Sequence, residues 1–253
     1  MSELLKANSE LLKRQMANGT PKHIADLATA VLNTAPNEPE ARIPPSEQVT
    51  VGRTVQRATL GDLDTSHPMM SEAVAIVRKW ADRKREGHDD ASLVLCGPYG
   101  TGKTRIARAA LWSICYTVDD TPVAPMGKFF HAADLLLKLS PTKTEWGGTE
   151  VPRPAEFIGN VPIVVIDDVG SEQEIPFVAK DGQIAEIQAR YFRVMDYCYQ
   201  FNISLILTSN LSIPQLQAHL GGRCWDRLSQ MAPKGFMFDL TGVPSWRQKE
   251  SGR

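Results

Sequence analysis

The sequence predicts an α/β fold in which helices cover both faces of a parallel sheet. Three observations carry that expectation. From about Arg57 onward, short apolar segments alternate with helical patterns of ten or more residues, the order that builds strand-helix-strand units. The segment 162–166, PIVVI, is apolar without interruption, as suits a parallel strand buried on both faces. At 97–104 a glycine-rich loop runs directly from an apolar strand into a helix, which is the setting of a phosphate-binding turn.

Each element has its own local reason. Residues 1–33 hold two short helical stripes, Leu4, Leu5, Leu11, Leu12 and Met16, then, past the Gly19-Thr20-Pro21 break, Ile24, Leu27, Ala28, Val31 and Leu32. Neither stripe is long enough to fold alone, so these helices are expected to pair with each other or with a partner. Residues 34–56 are rich in Pro and charge and poor in large apolar side chains, and read as a linker. Residues 57–253 then form the α/β domain. In it, 69–86 is an amphipathic helix, 91–96 an apolar strand and 103–118 the helix after the loop. A strand at 127–131 (GKFFH) and a helix at 132–139 follow, then a polar stretch to Asn160 broken by Pro141, Pro152 and Pro154. The last elements are a strand at 162–166, a long helix at 183–201, a strand at 203–208 (ISLILT), helices at 212–220 and 223–230, and a strand at 235–240 (GFMFDL).

Composition limits the partners. With 28 Lys+Arg against 29 Asp+Glu the formal net charge is -1, which excludes gripping nucleic acid or anionic membrane through overall positive charge. A local patch must supply any such contact. The apolar runs fall far short of the roughly 20 residues of a membrane-spanning helix, and Glu3 and Glu10 among the first leucines argue against a secretory or transit leader. The four cysteines, Cys96, Cys115, Cys198 and Cys224, are scattered without metal-ligand spacing. They are expected to be buried free thiols of a cytoplasmic protein with no membrane partner.

Four motifs carry chemistry. Gly97-Pro98-Tyr99-Gly100-Thr101-Gly102-Lys103-Thr104 matches the pattern G-x-x-x-x-G-K-[ST] in full. Its glycines let backbone N–H groups turn toward phosphate oxygens and the following helix adds its positive end. Lys103 suits the β- and γ-phosphates and the Thr104 hydroxyl suits Mg²⁺. Next, the strand ending Val164-Val165-Ile166 delivers Asp167 and Asp168 at its carboxyl end, where ligands of such sheets bind. Asp167 is placed for the Mg²⁺ shell and Asp168 for the attacking water. Third, Leu207-Thr208-Ser209-Asn210 ends a strand with polar residues, so Asn210 either holds that water or caps the next helix. Fourth, in Gly221-Gly222-Arg223-Cys224-Trp225-Asp226-Arg227-Leu228 the two arginines are four apart and share a helix face. They form either a solvated basic face or an arginine finger reaching a neighbouring subunit's nucleotide.

Taken in order, GPYGTGKT, VVIDDVG, LTSN, GGRCWDRL and a final Ser245-Trp246-Arg247 resemble the AAA+ ATPases of the bacterial DnaC helicase-loader and IstB group, over about residues 57–248. The resemblance implies a P-loop AAA+ three-layer fold with a parallel five-stranded sheet, and ATP and Mg²⁺ as cofactors. It assigns phosphate and metal roles to Lys103 and Thr104, the metal role to Asp167, the base to Asp168, the sensor to Asn210 and the finger to Arg227, with Arg223 beside it. Two departures stand out. Asp168 stands where many members have Glu, which implies slow hydrolysis, and the region after Arg227 is too short for a full helical lid, so a reduced or absent lid is expected.

The function this implies is an ATP-dependent loader. Residues 1–33 would bind a hexameric DnaB-type replicative helicase, and self-association into a ring or spiral would deliver it to single-stranded DNA. The alternative is an IstB-like regulator that binds duplex DNA and stimulates a transposase. A small-molecule kinase is a weaker third reading, because an end-of-strand Asn and a paired-arginine helix are not its usual parts. For DNA contact the local candidates are Lys138, Lys143, Trp146 and Arg153, basic residues and one ring amid Gly and Pro. The plainer reading of that stretch is an irregular surface loop.

Overall fold

The computed structural model describes residues 58–87, 91–116, 127–143, 148–159, 161–174 and 184–246. The expected N-terminal helices and linker lie outside the described residues. Within them the strands are β1 (Leu93–Cys96), β2 (Lys128–His131), β3 (Thr142–Lys143), β4 (Thr149–Glu150), β5 (Ile163–Val169), β6 (Ser204–Ser209) and β7 (Met237–Asp239). The helices are α1 (Pro68–Arg85), α2 (Lys103–Cys115), α3 (Ala132–Lys138), α4 (Pro154–Ile158), α5 (Ile184–Gln200) and α6 (Ile213–Met231).

Five strands form one sheet in the order β2-β5-β6-β1-β7, with every neighbouring pair parallel. Because successive strand side chains point to opposite faces, each strand feeds two cores. Leu93, Leu95, Ile163, Val165 and Ile206 pack with residues of α1 and α2 on one face. Val94, Cys96, Val164, Ile166, Leu205 and Leu207 pack with α3, α5 and α6 on the other. Each such aliphatic side chain contributes roughly 1.5–3 kcal/mol when buried, so polar residues are confined to the strand ends. That confinement places them at the margin where a ligand can reach them. The three layers and the five-stranded parallel sheet agree with the sequence reading.

The differences are local. The strand expected to end at Ile166 continues to Val169, because Asp167 finds a buried hydrogen-bond partner on β6. The helix expected to reach residue 118 stops at Cys115, where Tyr116 turns to extended backbone. Helices 212–220 and 223–230 run on as α6, but Gly221 breaks the helical backbone with φ +76, so the expected division holds at that residue. The polar stretch also contains the β3-β4 hairpin and the short α4, which are too brief to show a hydrophobic period. The final strand is shortened by a 3-10 turn over Lys234–Phe236.

Candidate nucleotide-binding site

The chain leaves β1 at Gly97 and turns through Gly100 and Gly102, with φ of +136°, +81° and +92°. Side chains rarely adopt such angles, so glycine is required along this turn. Gly102 is the N-cap of α2, and the first N–H groups of that helix lack helical acceptors. Lys103 opens the helix and is buried. Its Nζ donates to the carbonyls of Gly97 and Pro98, each at 2.7 Å, so the loop's own backbone holds the ammonium inside the turn.

The acid pair lies across from this loop on β5. Pairing with β6 steps from Ile166–Leu207 to Val169–Ser209, so β5 uses one residue more than its partner and bulges at Asp167-Asp168. A bulge re-aims a side chain that strict alternation would send to the opposite face. Asp168 takes φ +65° there, and both carboxylates border one cleft. Asp167 is buried; its Oδ1 accepts from Thr208 Oγ1 at 2.6 Å, and its Oδ2 lies 3.6 Å from His131 Nδ1. Thr208 Oγ1 in turn accepts from the Asp168 N–H at 2.9 Å. Asn210 Nδ2 donates to Asp168 Oδ1, so the tip of β6 fixes both acids. Burial, and next the charge of Asp167, raise the Asp168 carboxyl above its ordinary range.

The cleft between loop and acids has a volume of about 480 Å³. Tyr99, Gly100, Gly102, Lys103, Thr104, Asp167, Asp168 and Asn210 all line it, so the first three sequence motifs converge on one space. Thr104 and Asp167 are hard oxygen donors of the class that Mg²⁺ takes. Sequence reasoning placed Thr208 in the third motif without giving it a role, and missed His131. Their signals were a hydroxyl near the end of an apolar strand and a polar residue ending β2, which lies beside β5.

A sequence profile described as IstB-like ATP binding protein matches residues 83–227, more than half of the chain. The chain belongs to that family. The fold of this IstB-like protein is similar to the crystal structure of the DnaC helicase loader, with TM-score 0.54 and 20% identity over 73% of this chain and 97% of that one. It is similar also to the crystal structure of DnaI, with TM-score 0.56 and 20% identity over 78% and 94%. A putative primosome component from Streptococcus pyogenes serotype M3 gives TM-score 0.52 and 17% identity over 77% and 93%. Among curated proteins, none matches the sequence. The chain thus shares the fold of these three structures.

The two arginines of this IstB-like chain stand apart from its cleft. Both lie on the α6 face toward α5, as their spacing predicts, but they do not reach a common point. Exposed Arg223 lies over the Phe192 ring at 4.2 Å, whereas Arg227 lies over Tyr199 at 4.6 Å and donates to Asp196 Oδ1 at 3.3 Å. Those rings are seven residues apart on α5, about 10 Å along a helix.

A second polar group escaped the sequence reading altogether. Glu172, in the turn after β5, is fully buried and accepts from the Gly170 N–H at 2.7 Å and from Tyr191 Oη at 2.8 Å, with His219 Nε2 2.5 Å away. Of the suggested DNA-contact residues, Lys138 is exposed at the end of α3 and Arg153 is exposed ahead of α4. Trp146 lies outside the described residues. The four cysteines are buried and free, and burial pushes the Cys96, Cys198 and Cys224 thiols up to about 12. Among the described residues, no helix is long and apolar enough to cross a membrane.

Proposed function

We propose that this protein is a Mg²⁺-dependent ATPase that acts as a helicase loader, docking residues 1–33 on a hexameric DnaB-type helicase and delivering it to single-stranded DNA. The observation that carries the enzymatic part is the convergence of the glycine loop, the Asp167-Asp168 bulge and Asn210 on one cleft. The loader part is supported by likeness to one protein that carries that description.

The chemistry follows from the residues. Lys103 exchanges the carbonyls of Gly97 and Pro98 for phosphate oxygens of the nucleotide. Thr104 and Asp167 hold Mg²⁺, which supplies charge neutralisation at the phosphates. Asp168, with its raised carboxyl, takes the proton of the attacking water, and Asn210 keeps that carboxylate aimed. Arg227, or Arg223 beside it, stabilises charge on the phosphoryl group of an adjacent subunit in a ring or spiral.

The test is to mix the chain with the replicative helicase of its own host and to follow phosphate release with DNA added. A complex, with ATPase activity raised by single-stranded DNA, is expected, and Lys103→Ala should abolish ATP binding. Absence of both complex and stimulation overturns the loader reading. Stimulation by duplex DNA alone points instead to the transposition regulator, and phosphate release that requires a small-molecule acceptor points to a kinase.

A further inference from the structure

The chain beyond β7 returns to the phosphate loop. The Leu240 N–H donates to the Cys96 carbonyl at 2.8 Å, the Val243 N–H closes a turn on Leu240 at 3.0 Å, and the Trp246 N–H donates to the Gly100 carbonyl at 2.9 Å. Val243 is buried in the core that α1 and α2 share. The contact is close enough to dictate sequence in the loop. A Cβ at Gly97 would lie 2.9 Å from the Leu240 carbonyl carbon, and one at Gly100 would lie 2.1 Å from Ser245 Oγ. Gly97, which meets backbone, is therefore needed for this contact as well as for its φ angle, whereas at Gly100 the Ser245 hydroxyl would have to turn away.

The same segment brings a ring to the cleft. Trp246 is half-buried and lines the cleft together with Leu63 and Met70, both of which are packed into the core. Met70 and Trp246 also border a neighbouring hollow formed with Ser66, His67 and Val243, which contains no residue of the phosphate loop. Trp246 thus stands where the cleft meets a space that neither the phosphate loop nor the Asp167-Asp168 pair lines. A nucleoside triphosphate has matching ends, with charged phosphates for the loop and a flat, weakly polar base for apolar and aromatic walls.

We infer that Leu240–Trp246 is a strap seated on the phosphate loop and that Trp246 is the platform on which the purine base of the nucleotide stacks; this rests on the nucleotide reading above. Base–aromatic stacking is tolerant of which base is bound, and a large ring gives it most area. Of the other rings lining the cleft among the described residues, His131 lies beside Asp167 at the acid end, and Tyr99 is 58% exposed, so packing does not fix it as a platform.

The test measures binding of ATP and of inorganic tripolyphosphate, each with Mg²⁺, to the full chain and to Trp246→Ala, Trp246→Phe and Tyr99→Ala. Trp246→Ala should weaken ATP about tenfold or more and leave tripolyphosphate within about twofold, while Trp246→Phe recovers most of the loss. Unchanged ATP affinity in Trp246→Ala overturns the inference, as does an equal loss for both ligands, which would mean that the strap acts only through the loop. A loss in Tyr99→Ala with none in Trp246→Ala moves the base to the other ring and also overturns it. If the unaltered chain binds neither ligand, the nucleotide reading itself fails, and the inference fails with it.

Discussion

Asp168 combines a rare backbone conformation with surroundings that disfavour its ionised form. Its left-handed backbone, at φ +65°, is uncommon outside glycine, and burial beside Asp167 raises its carboxyl. An acid whose pKa is raised by folding binds its proton more tightly in the folded chain. Its ionised form therefore destabilises the fold above that pKa, and the penalty fades as pH falls through it. Asp168→Asn removes the charge, tolerates the same backbone and keeps an oxygen for Asn210. Stability is expected to rise, though by less than about 1 kcal/mol because solvent screens a partly exposed carboxyl, while ATP hydrolysis falls about 10²- to 10⁴-fold. Urea denaturation and phosphate release measure the two, and a variant that loses stability would show the carboxylate to be a structural part. In the unaltered protein the acid limb of hydrolysis should lie above the ordinary carboxylate range. The sequence made this residue visible because strand, acid pair and loop are each short contiguous patterns. It did not show the bulge, since pairing of Ile166 with Leu207 and of Val169 with Ser209 is a relation between two strands far apart in the chain.

Secondary-structure elements are joined by a residue that no motif marks. Glu172 ties the turn after β5 to α5 through Tyr191 and to α6 through His219, two residues before the Gly221 break. Its partners lie 19 and 47 residues away, so no local pattern in the sequence predicts the cluster. By contrast the strands of the main sheet announced themselves as apolar runs, and α1 as a stripe of Met70, Ala73, Val74, Val77, Trp80 and Ala81. Burial works to raise the Glu172 carboxyl, but the His219 hydrogen bond and charge, the Tyr191 hydroxyl and a backbone N–H outweigh it and hold it below its usual range. The sign is therefore opposite to that at Asp168: the cluster stabilises the fold above the ordinary carboxylate pKa, and the contribution is lost as pH falls through the depressed value. Glu172→Ala removes the acceptor of the buried Tyr191 hydroxyl and breaks the buried Glu172–His219 pair, and is expected to cost roughly 3–5 kcal/mol, read from denaturant midpoints. The loss should shrink in strong acid, where the unaltered carboxyl is also protonated. A loss that is the same at every pH would remove the charge from the explanation.

At the scale of the whole molecule, a net charge of -1 leaves little long-range attraction for DNA, so the proposed ring or spiral would add many weak local contacts instead. The same assembly is what an arginine finger requires, since neither Arg223 nor Arg227 lines the cleft of its own chain. Each is parked on α5 by forces that are weak at a partly exposed site. The Arg227–Asp196 pair is partly exposed and contributes on the order of 0.2–1 kcal/mol, and stacking of either guanidinium on its ring adds about 0.5–1 kcal/mol. A neighbouring triphosphate offers a stronger, bidentate partner, so release from α5 on assembly is energetically open to both. The per-subunit ATPase rate of the unaltered chain should rise with protein concentration. Arg227→Ala should bind ATP normally yet show a flat rate, with the fall at high concentration in the range of 10³- to 10⁵-fold that finger residues supply at most. A rise that persists in Arg227→Ala but vanishes in Arg223→Ala assigns the finger to Arg223. A rise in both variants means that α6 supplies no finger, and stability measured alongside separates a lost finger from a lost tie to Asp196.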